Sequence, residues 1–385
     1  MQYDYIIVGA GIAGITAAEE LANILEKKVL LIEKRDHIGG NCYDYVNEHG
    51  TIIHKYGPHI FHTNNLQVYN YLSLFTLWNT YNHKVLYKID NKLVPVPFNL
   101  ISIDKTRPGD SEEIKDALLD NYEVNAKVPI KELMESDNEY LKDLGEHIFK
   151  EVYFKDYKKL YNIEDTRIIE LVDKMKPLHV SYDCRYYDDL YQAVPSYGYE
   201  SMFENMLKNH NITVLLDTDY KDVLSINHDT KKVYYNNKEF EGHLIFTGRI
   251  DEFFDYKFGQ LPYRSLILLN EDVDDVFFQD NATIHYPKEY HFTKITEFKY
   301  LTGQQTFYTT IQFEFPVEYD ISNPEQNIPY YPINLEENQK IYEKYKKLSE
   351  NYTNITFIGR LAEYKQYQMD EIVQKVLDLI SNKFL

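Results

Sequence analysis

Apolar and polar positions along the chain change their period several times, and each change marks a different kind of element. Residues 3–8, YDYIIV, carry a short apolar run that stops at glycine, the pattern of a buried strand. The next segment, ITAAEELANILEKK, spaces its apolar residues as a helix does, and VLLIEK closes the unit with a second apolar run. Strand, helix and strand in this order predict a βαβ unit. Within 111–180 the period becomes helical and glycine becomes scarce, in SEEIKDALLDNY, EYLKDLGEHIFKEVY and DTRIIELVDKMK. Short strands return in NITVLLD, KKVYYNN and GHLIFTG, and 262–316 is β-rich, with alternating stretches such as TFYTTIQFEFP. The chain closes with the apolar strand NITFIGR and the amphipathic helix MDEIVQKVLDLIS.

This order predicts an α/β protein with a Rossmann-like core interrupted by two insertions. The core is expected from 1–80, 190–260 and 335–385, a mainly helical insert from 100–185, and an antiparallel β-sheet substrate domain from 81–99 and 261–334. No internal repeat or low-complexity linker breaks the sequence.

At 385 residues the chain is long enough for more than one domain, and its apolar content is that of a globular protein. No apolar run approaches the roughly 20 residues that span a bilayer, so membrane insertion is not expected. The N-terminal run lacks the basic flank and small-residue cleavage site of a signal peptide, which makes the cytoplasm the expected location. Cys42 and Cys184 are too few for a disulfide framework or a four-thiolate zinc site. A formal net charge of −20 argues against nucleic acid as a partner, because phosphate contacts need basic patches. An anionic ligand would have to be met by cations gathered locally. The 37 tyrosines read first as a compositional bias and second as stacking platforms for a nucleotide.

Gly9-x-Gly11-x-x-Gly14 leaves the first strand and opens the first helix, and Glu33 ends the second strand about twenty residues on. Gly9 permits the tight turn, Gly11 admits a pyrophosphate close to the backbone, and Gly14 lets the helix pack on the sheet. The helix N-terminus offers free N–H groups to phosphate, and Glu33 is suited to the ribose hydroxyls. Lys34, Gly40 and Asn41 follow in EKRDHIGGN, where a second glycine pair resembles the FAD fingerprint of glutathione-reductase-like flavoproteins. Gly359 and Arg360 after a late strand, with a helix from about Met369, extend that resemblance, and FAD is the expected cofactor. The stretch HKYGPHIFHT concentrates His54, His59 and His62. Zinc is the rival reading there, but Gly57-Pro58 breaks any helix and no cysteine lies nearby, so no metal is expected.

IEKRDHIGGN, HKYGPHIFHT, VPFN, YRSL, YYPIN and GRLAEY occur in this order across almost the whole chain. Together they resemble the UDP-galactopyranose mutase family. The resemblance implies an isomerase that interconverts pyranose and furanose forms of a nucleoside-diphosphate sugar, UDP-galactose first, in polysaccharide biosynthesis. It implies attack of reduced-flavin N5 on the anomeric carbon, a flavin–sugar adduct, and no net redox change. It implies NAD(P)H or a reduced flavin as reductant, and a homodimer. By position, His59, His62 and Arg264 are implied to be catalytic, with Gly57 in the same flavin-facing loop, and Arg360 is assigned to the flavin. Asn82 is placed near the nucleotide and Tyr157 on uracil. Tyr191 and either Tyr330 or Tyr331 are placed on the diphosphate, and Arg264 is retained with the substrate.

The chain departs from the family on the substrate side. An expected tryptophan is missing, leaving Tyr161 as the nearest aromatic. Two arginines that the resemblance places as clamps on the diphosphate read His179 and Lys294, and a tyrosine and an aspartate of the last motif read Gln366 and Gln368. A guanidinium is a bidentate, always-charged fork, whereas lysine is a point charge and histidine is mostly neutral near pH 7. The departures widen the expected substrates to UDP-N-acetylgalactosamine, UDP-arabinopyranose and a dTDP-deoxyhexose. Plainer readings stand beside these: Arg264 as an ion pair, Tyr157 and Tyr161 as the buried stripe of a helix, Lys294 as a solvated strand residue. Two rival functions are an amine-oxidase-like flavin oxidoreductase and a non-catalytic protein of the Rab GDP-dissociation-inhibitor kind. The complete glycine fingerprint with Glu33 disfavours the second.

Overall fold

The computed structural model describes residues 3–288 and 290–384. Its central sheet has five parallel strands in the order Ile212–Leu215, Val29–Ile32, Tyr5–Val8, His243–Phe246 and Ile355–Phe357. The strands come from the start, middle and end of the chain, as the apolar runs predict. Both faces are covered. Ile7, Leu31 and Ile245 join one core, and Ile6, Leu30, Leu244 and Phe246 join the core on the other side. A strand buried on two faces must be apolar at every position, which is why these segments read as runs and not as alternation. On the first face, helix Ile12–Asn23 packs against helix Met369–Lys383. Ala17, Ala18 and Leu21 meet Ile372, Val373, Val376 and Ile380 there, at the spacing of an amphipathic stripe.

The helical layer includes Leu100–Thr106, Ser111–Asn121 and Glu139–Ile148, which bury Ile103, Ile114, Leu118, Leu141, Leu144 and Ile148 together. Asn99 starts it by accepting the Ser102 N–H at 3.0 Å. EYLKDLGEHIFKEVY reads as one helix, but from Phe149 to Phe154 the chain is π-helical before it resumes as Lys155–Tyr161. A π turn shifts the facing of everything after it, here Tyr157 and Tyr161. Periodicity over so short a stretch does not reveal such a shift.

The third layer is a seven-stranded sheet in the order Tyr331–Pro332, Tyr263–Val273, Thr309–Glu318, Lys294–Glu297, Thr283–His285, Val85–Ile89 and Lys92–Val96. One junction, Thr283–His285 on Val85–Ile89, is parallel, so the sheet is mixed where an antiparallel one was expected. Alternation reports which face a residue occupies and not the direction of the neighbouring strand. Register places Tyr87, His285, Lys294 and Glu314 opposite one another on four adjacent strands. They therefore share one face in a row. A small sheet, Phe61–Thr63 with Tyr191–Pro195 and Trp78–Thr80, carries His62 opposite Gln192. Among the described residues no helix is long and apolar enough to cross a membrane.

Candidate active site

Glycines from different segments meet at the carboxyl ends of the central strands, the crevice where open α/β sheets bind ligands. Gly9 has φ +99°, and a Cβ there would sit 2.2 Å from Thr247 Oγ1. A Cβ on Gly14 would sit 2.0 Å from the Gly9 carbonyl oxygen, so the first helix can start against the turn only without a side chain. Gly40 comes against Gly11, and Gly359 faces Ala13 and Thr247. The Glu33 carboxylate accepts the N–H groups of Ala10 at 2.8 Å and Arg35 at 2.9 Å, tying the glycine turn to the end of the second strand. Met369 opens the last helix, and its sulfur lies 3.8 Å from Cys42 of the second glycine loop. Burial pushes the Cys42 thiol up to about 12.

Lys34 is exposed, and Arg35 turns inward instead. Its Nη2 donates to Asn41 Oδ1 at 3.0 Å, and its guanidinium lies 4.4 Å from the Tyr56 ring centroid. Its Nη1 is buried and has no hydrogen-bond partner among the described residues. A buried guanidinium nitrogen without an acceptor is costly, and at a glycine-lined helix terminus it fits the pyrophosphate of a dinucleotide.

The histidine loop follows. His54 is buried, accepts the His59 N–H on Nδ1 at 2.9 Å, and is pushed down to about 3 by burial. His59 Nδ1 lies 2.9 Å from the Gly57 carbonyl oxygen, which only accepts, so that nitrogen carries the proton and Nε2 is bare. Burial lowers its pKa to about 4, against the Gly57 bond and with help from Arg360 and Lys294. His62 stacks on Tyr187 at 3.6 Å, with Nδ1 2.7 Å from Asp189 and Nε2 3.1 Å from the Gln368 amide oxygen. The three histidines are thus engaged with different partners. Among the described residues, the side chains grouped closely enough for a metal ion are Glu48, His49 and Asp272.

Beyond the histidines the walls are aromatic and charged. Asp156 is buried and accepts the Tyr87 hydroxyl at 2.9 Å, with His285 Nδ1 3.3 Å away. Lys294 Nζ lies 2.8 Å from Glu314, whose other oxygen accepts the Thr293 hydroxyl at 2.7 Å. Burial works against the Lys294 charge, but Glu314 outweighs it and raises the pKa above the ordinary lysine value. The rings of Tyr157 and Tyr161 lie 5.7 Å apart and those of Tyr186 and Tyr187 4.9 Å apart. Lys176 Nζ stands 4.6 Å from the Tyr186 centroid and 5.1 Å from that of Tyr187. Tyr330 packs with Tyr56 and Leu266, on the Arg35 side. The Tyr331 phenol is raised well above its ordinary range by burial and then by Glu314 and Tyr161. Arg360 Nη1 donates to the carbonyls of Pro329 at 2.7 Å and Tyr330 at 2.8 Å, holding the loop that carries both tyrosines.

Other residues singled out from the sequence are exposed or have their side chains engaged with other partners. Asn82 and Gln366 are exposed. Tyr191 stacks on Tyr69 at 4.1 Å. Arg264 donates from Nε to the Leu160 carbonyl at 2.7 Å and lines an open cleft of about 800 Å³ with Lys155, Lys158, Lys288 and Glu318. His179 donates its backbone N–H to Phe98 at 2.8 Å, and burial lowers its imidazole pKa. Sequence reasoning passed over Arg35, His83, Asp156, Lys176, Tyr186, Tyr187 and Glu314. His83 is buried one position past Asn82, with its ring 5.6 Å from Tyr186. RYYDD offered an aromatic pair as a cue to Tyr186 and Tyr187; nothing local marks Lys176 or Glu314.

A glycine-lined crevice beside a neutral histidine and a tyrosine-walled charged chamber defines a dinucleotide-dependent enzyme of Rossmann-like fold. Residues 7–75 match the NAD(P)-binding Rossmann-like domain, and residues 152–367, more than half the chain, match the UDP-galactopyranose mutase family. The chain is 36% identical over 376 residues to the UDP-galactopyranose mutase of Mycoplasma genitalium, covering 96% of this chain and 92% of that one. It is 32% identical over 380 residues to the dTDP-fucopyranose mutase of Escherichia coli, covering 97% and 96%. A crystal structure of reduced UDP-galactopyranose mutase shares the fold, with a TM-score of 0.69 at 15% identity over 98% of this chain and 95% of that one. The chain belongs to the UDP-galactopyranose mutase family and is an isomerase, a flavin-dependent mutase of nucleotide sugars.

Proposed function

We propose that the chain holds FAD and interconverts the pyranose and furanose forms of a nucleoside-diphosphate sugar, UDP-galactose or a close relative. The observation that carries this reading is the sequence of side chains leading away from the crevice. Arg35 comes first, then His59 and His62, then Lys294 and the tyrosines. The full-length similarity to mutases named for UDP-galactopyranose and dTDP-fucopyranose supports it, and the second keeps a dTDP-deoxyhexose in view. A bound, reduced flavin would supply the electron-rich nitrogen that lets a sugar ring open and reclose without net redox change.

The chain's own residues position and stabilise. Arg35 and the N–H groups of the first helix hold the cofactor pyrophosphate. His59 stays neutral until the pH approaches 4, so its bare Nε2 accepts a hydrogen bond and does not deliver a proton. His62 keeps one ring orientation, because Tyr187 and Asp189 hold it from two directions. Tyr157 and Tyr161 offer faces to the nucleobase, each stack contributing about 1–3 kcal/mol. The phenols of Tyr186 and Tyr331, raised above their ordinary range by burial, remain protonated and donate to diphosphate oxygens. A homodimer belongs to the same reading.

The test is to incubate dithionite-reduced holoenzyme with UDP-galactose, UDP-N-acetylgalactosamine, UDP-arabinopyranose and dTDP-fucose, and to read ring size by NMR. A furanose product without net consumption of reductant is expected. No change of ring form with any of them would overturn the reading. Bleaching of oxidised flavin by substrate would point to an oxidase.

A further inference from the structure

We propose that Lys176 is the cation that meets the substrate diphosphate, at the place the sequence motifs would give to His179 and Lys294. This inference rests on the mutase reading above. In a chain of net charge −20, a nucleoside diphosphate needs a positive group whose charge is not already balanced. Lys294 is not free in this sense. It faces Glu314 at 2.8 Å, and moving it to a phosphate would strand a buried carboxylate. His179 is half-buried in surroundings that favour the neutral ring. Arg360 is committed to two backbone carbonyls and Arg264 to the carbonyl of Leu160.

Lys176 differs from Lys294 in having no carboxylate against it, and from the two arginines in having no hydrogen-bond acceptor on its charged group among the described residues. It is half-buried, and no carboxylate lies within 4.0 Å of its ammonium among the described residues; burial lowers its pKa, while Asp188 and Asp189, farther off, favour its charge. Its charge rests on the faces of Tyr186 and Tyr187, 4.6 and 5.1 Å away, which attract a cation but leave its N–H donors unused. Its backbone is fixed, because the Tyr153 hydroxyl donates to its carbonyl at 3.0 Å. Tyr187 stacks in turn on His62 at 3.6 Å, so lysine, tyrosine and histidine form a column that leads to the flavin-side loop. A diphosphate lying along this column would meet the ammonium and the neighbouring phenol hydroxyls.

The experiment measures binding of UDP and dTDP, and of uridine and thymidine, to the FAD-loaded enzyme and its Lys176→Met and Lys176→Arg variants. Lys176→Met is expected to weaken diphosphate binding about 10- to 100-fold, the loss of one charge-assisted contact. Nucleoside binding and flavin content stay unchanged, the salt dependence of diphosphate binding becomes shallower, and Lys176→Arg restores most of the affinity. Lys176→Gln serves where Lys176→Met does not fold. Wild-type affinity for both diphosphates in the uncharged variants would overturn the inference alone. Equal loss of nucleoside and diphosphate binding would do the same, by making the role structural. Wild-type enzyme that binds neither UDP nor dTDP would overturn the mutase reading and this inference together.

Discussion

The Lys294 ammonium lies 2.8 Å from Glu314, and the two residues stand opposite each other on neighbouring strands. Glu314 is buried and Lys294 largely so, and removing either partner leaves a poorly solvated charge uncompensated. Lys294→Met and Glu314→Gln are each expected to cost about 3–5 kcal/mol of stability, and the double variant much less than their sum. Denaturant unfolding of the holoenzyme measures this. Additive losses would show that the two side chains do not work as a pair.

His54, His59 and His83 have folded pKa values near 3, 4 and 3, all lowered chiefly by burial. An unfolded histidine titrates at about 6.5. Below that pH the unfolded chain takes up protons that the folded protein refuses. The stabilisation is therefore complete above pH 6.5 and is lost as the pH falls toward 4. Glu20 and Asp44, raised by burial to about 7 and about 6, act in the opposite direction, so one histidine is best isolated by difference. His83→Gln is expected to flatten the slope of stability against pH by about 1.4 kcal/mol per unit between pH 4 and 6. An unchanged slope would place a protonated His83 in the folded protein.

A methyl group on Gly14 would lie 2.0 Å from the backbone oxygen of Gly9, which no rotamer change can relieve. Gly14→Ala is expected to force the first helix away from the sheet, lower Tm by several degrees and release the flavin. Absorbance of the purified variant at flavin wavelengths checks it. Full flavin content would mean that the helix start yields more easily than this packing implies.

Arg35→Gln removes the guanidinium whose buried Nη1 has no partner among the described residues. Flavin retention through dialysis is expected to fall about tenfold or more, with little loss of stability in the flavin-free protein. Lys34→Gln, at an exposed position, serves as the control and is expected to retain flavin. Equal retention in both variants would remove Arg35 from the cofactor site.

What the sequence determined by itself was local. Apolar runs and helical spacing specify elements, because a strand buried on both faces and a helix buried along a stripe leave different periods in one dimension. The glycine turn and the His59 loop were legible for the same reason. Their geometry is carried largely by neighbours within a few residues, as with the close approach of Gly14 to the Gly9 carbonyl and the His54–His59 hydrogen bond. Tertiary structure decided what depends on facing and distant partners. Arg35 and not Lys34 turns inward, and Tyr191 packs on Tyr69 while Tyr186 and Tyr187 join the charged wall. Glu314 neutralises Lys294 across a strand pairing of twenty residues' separation, whereas Lys176 rests on two tyrosine faces with no carboxylate within 4.0 Å among the described residues. A cation's usefulness to an anionic ligand depends on which carboxylates have already reached it, and that is a property of packing, not of spacing.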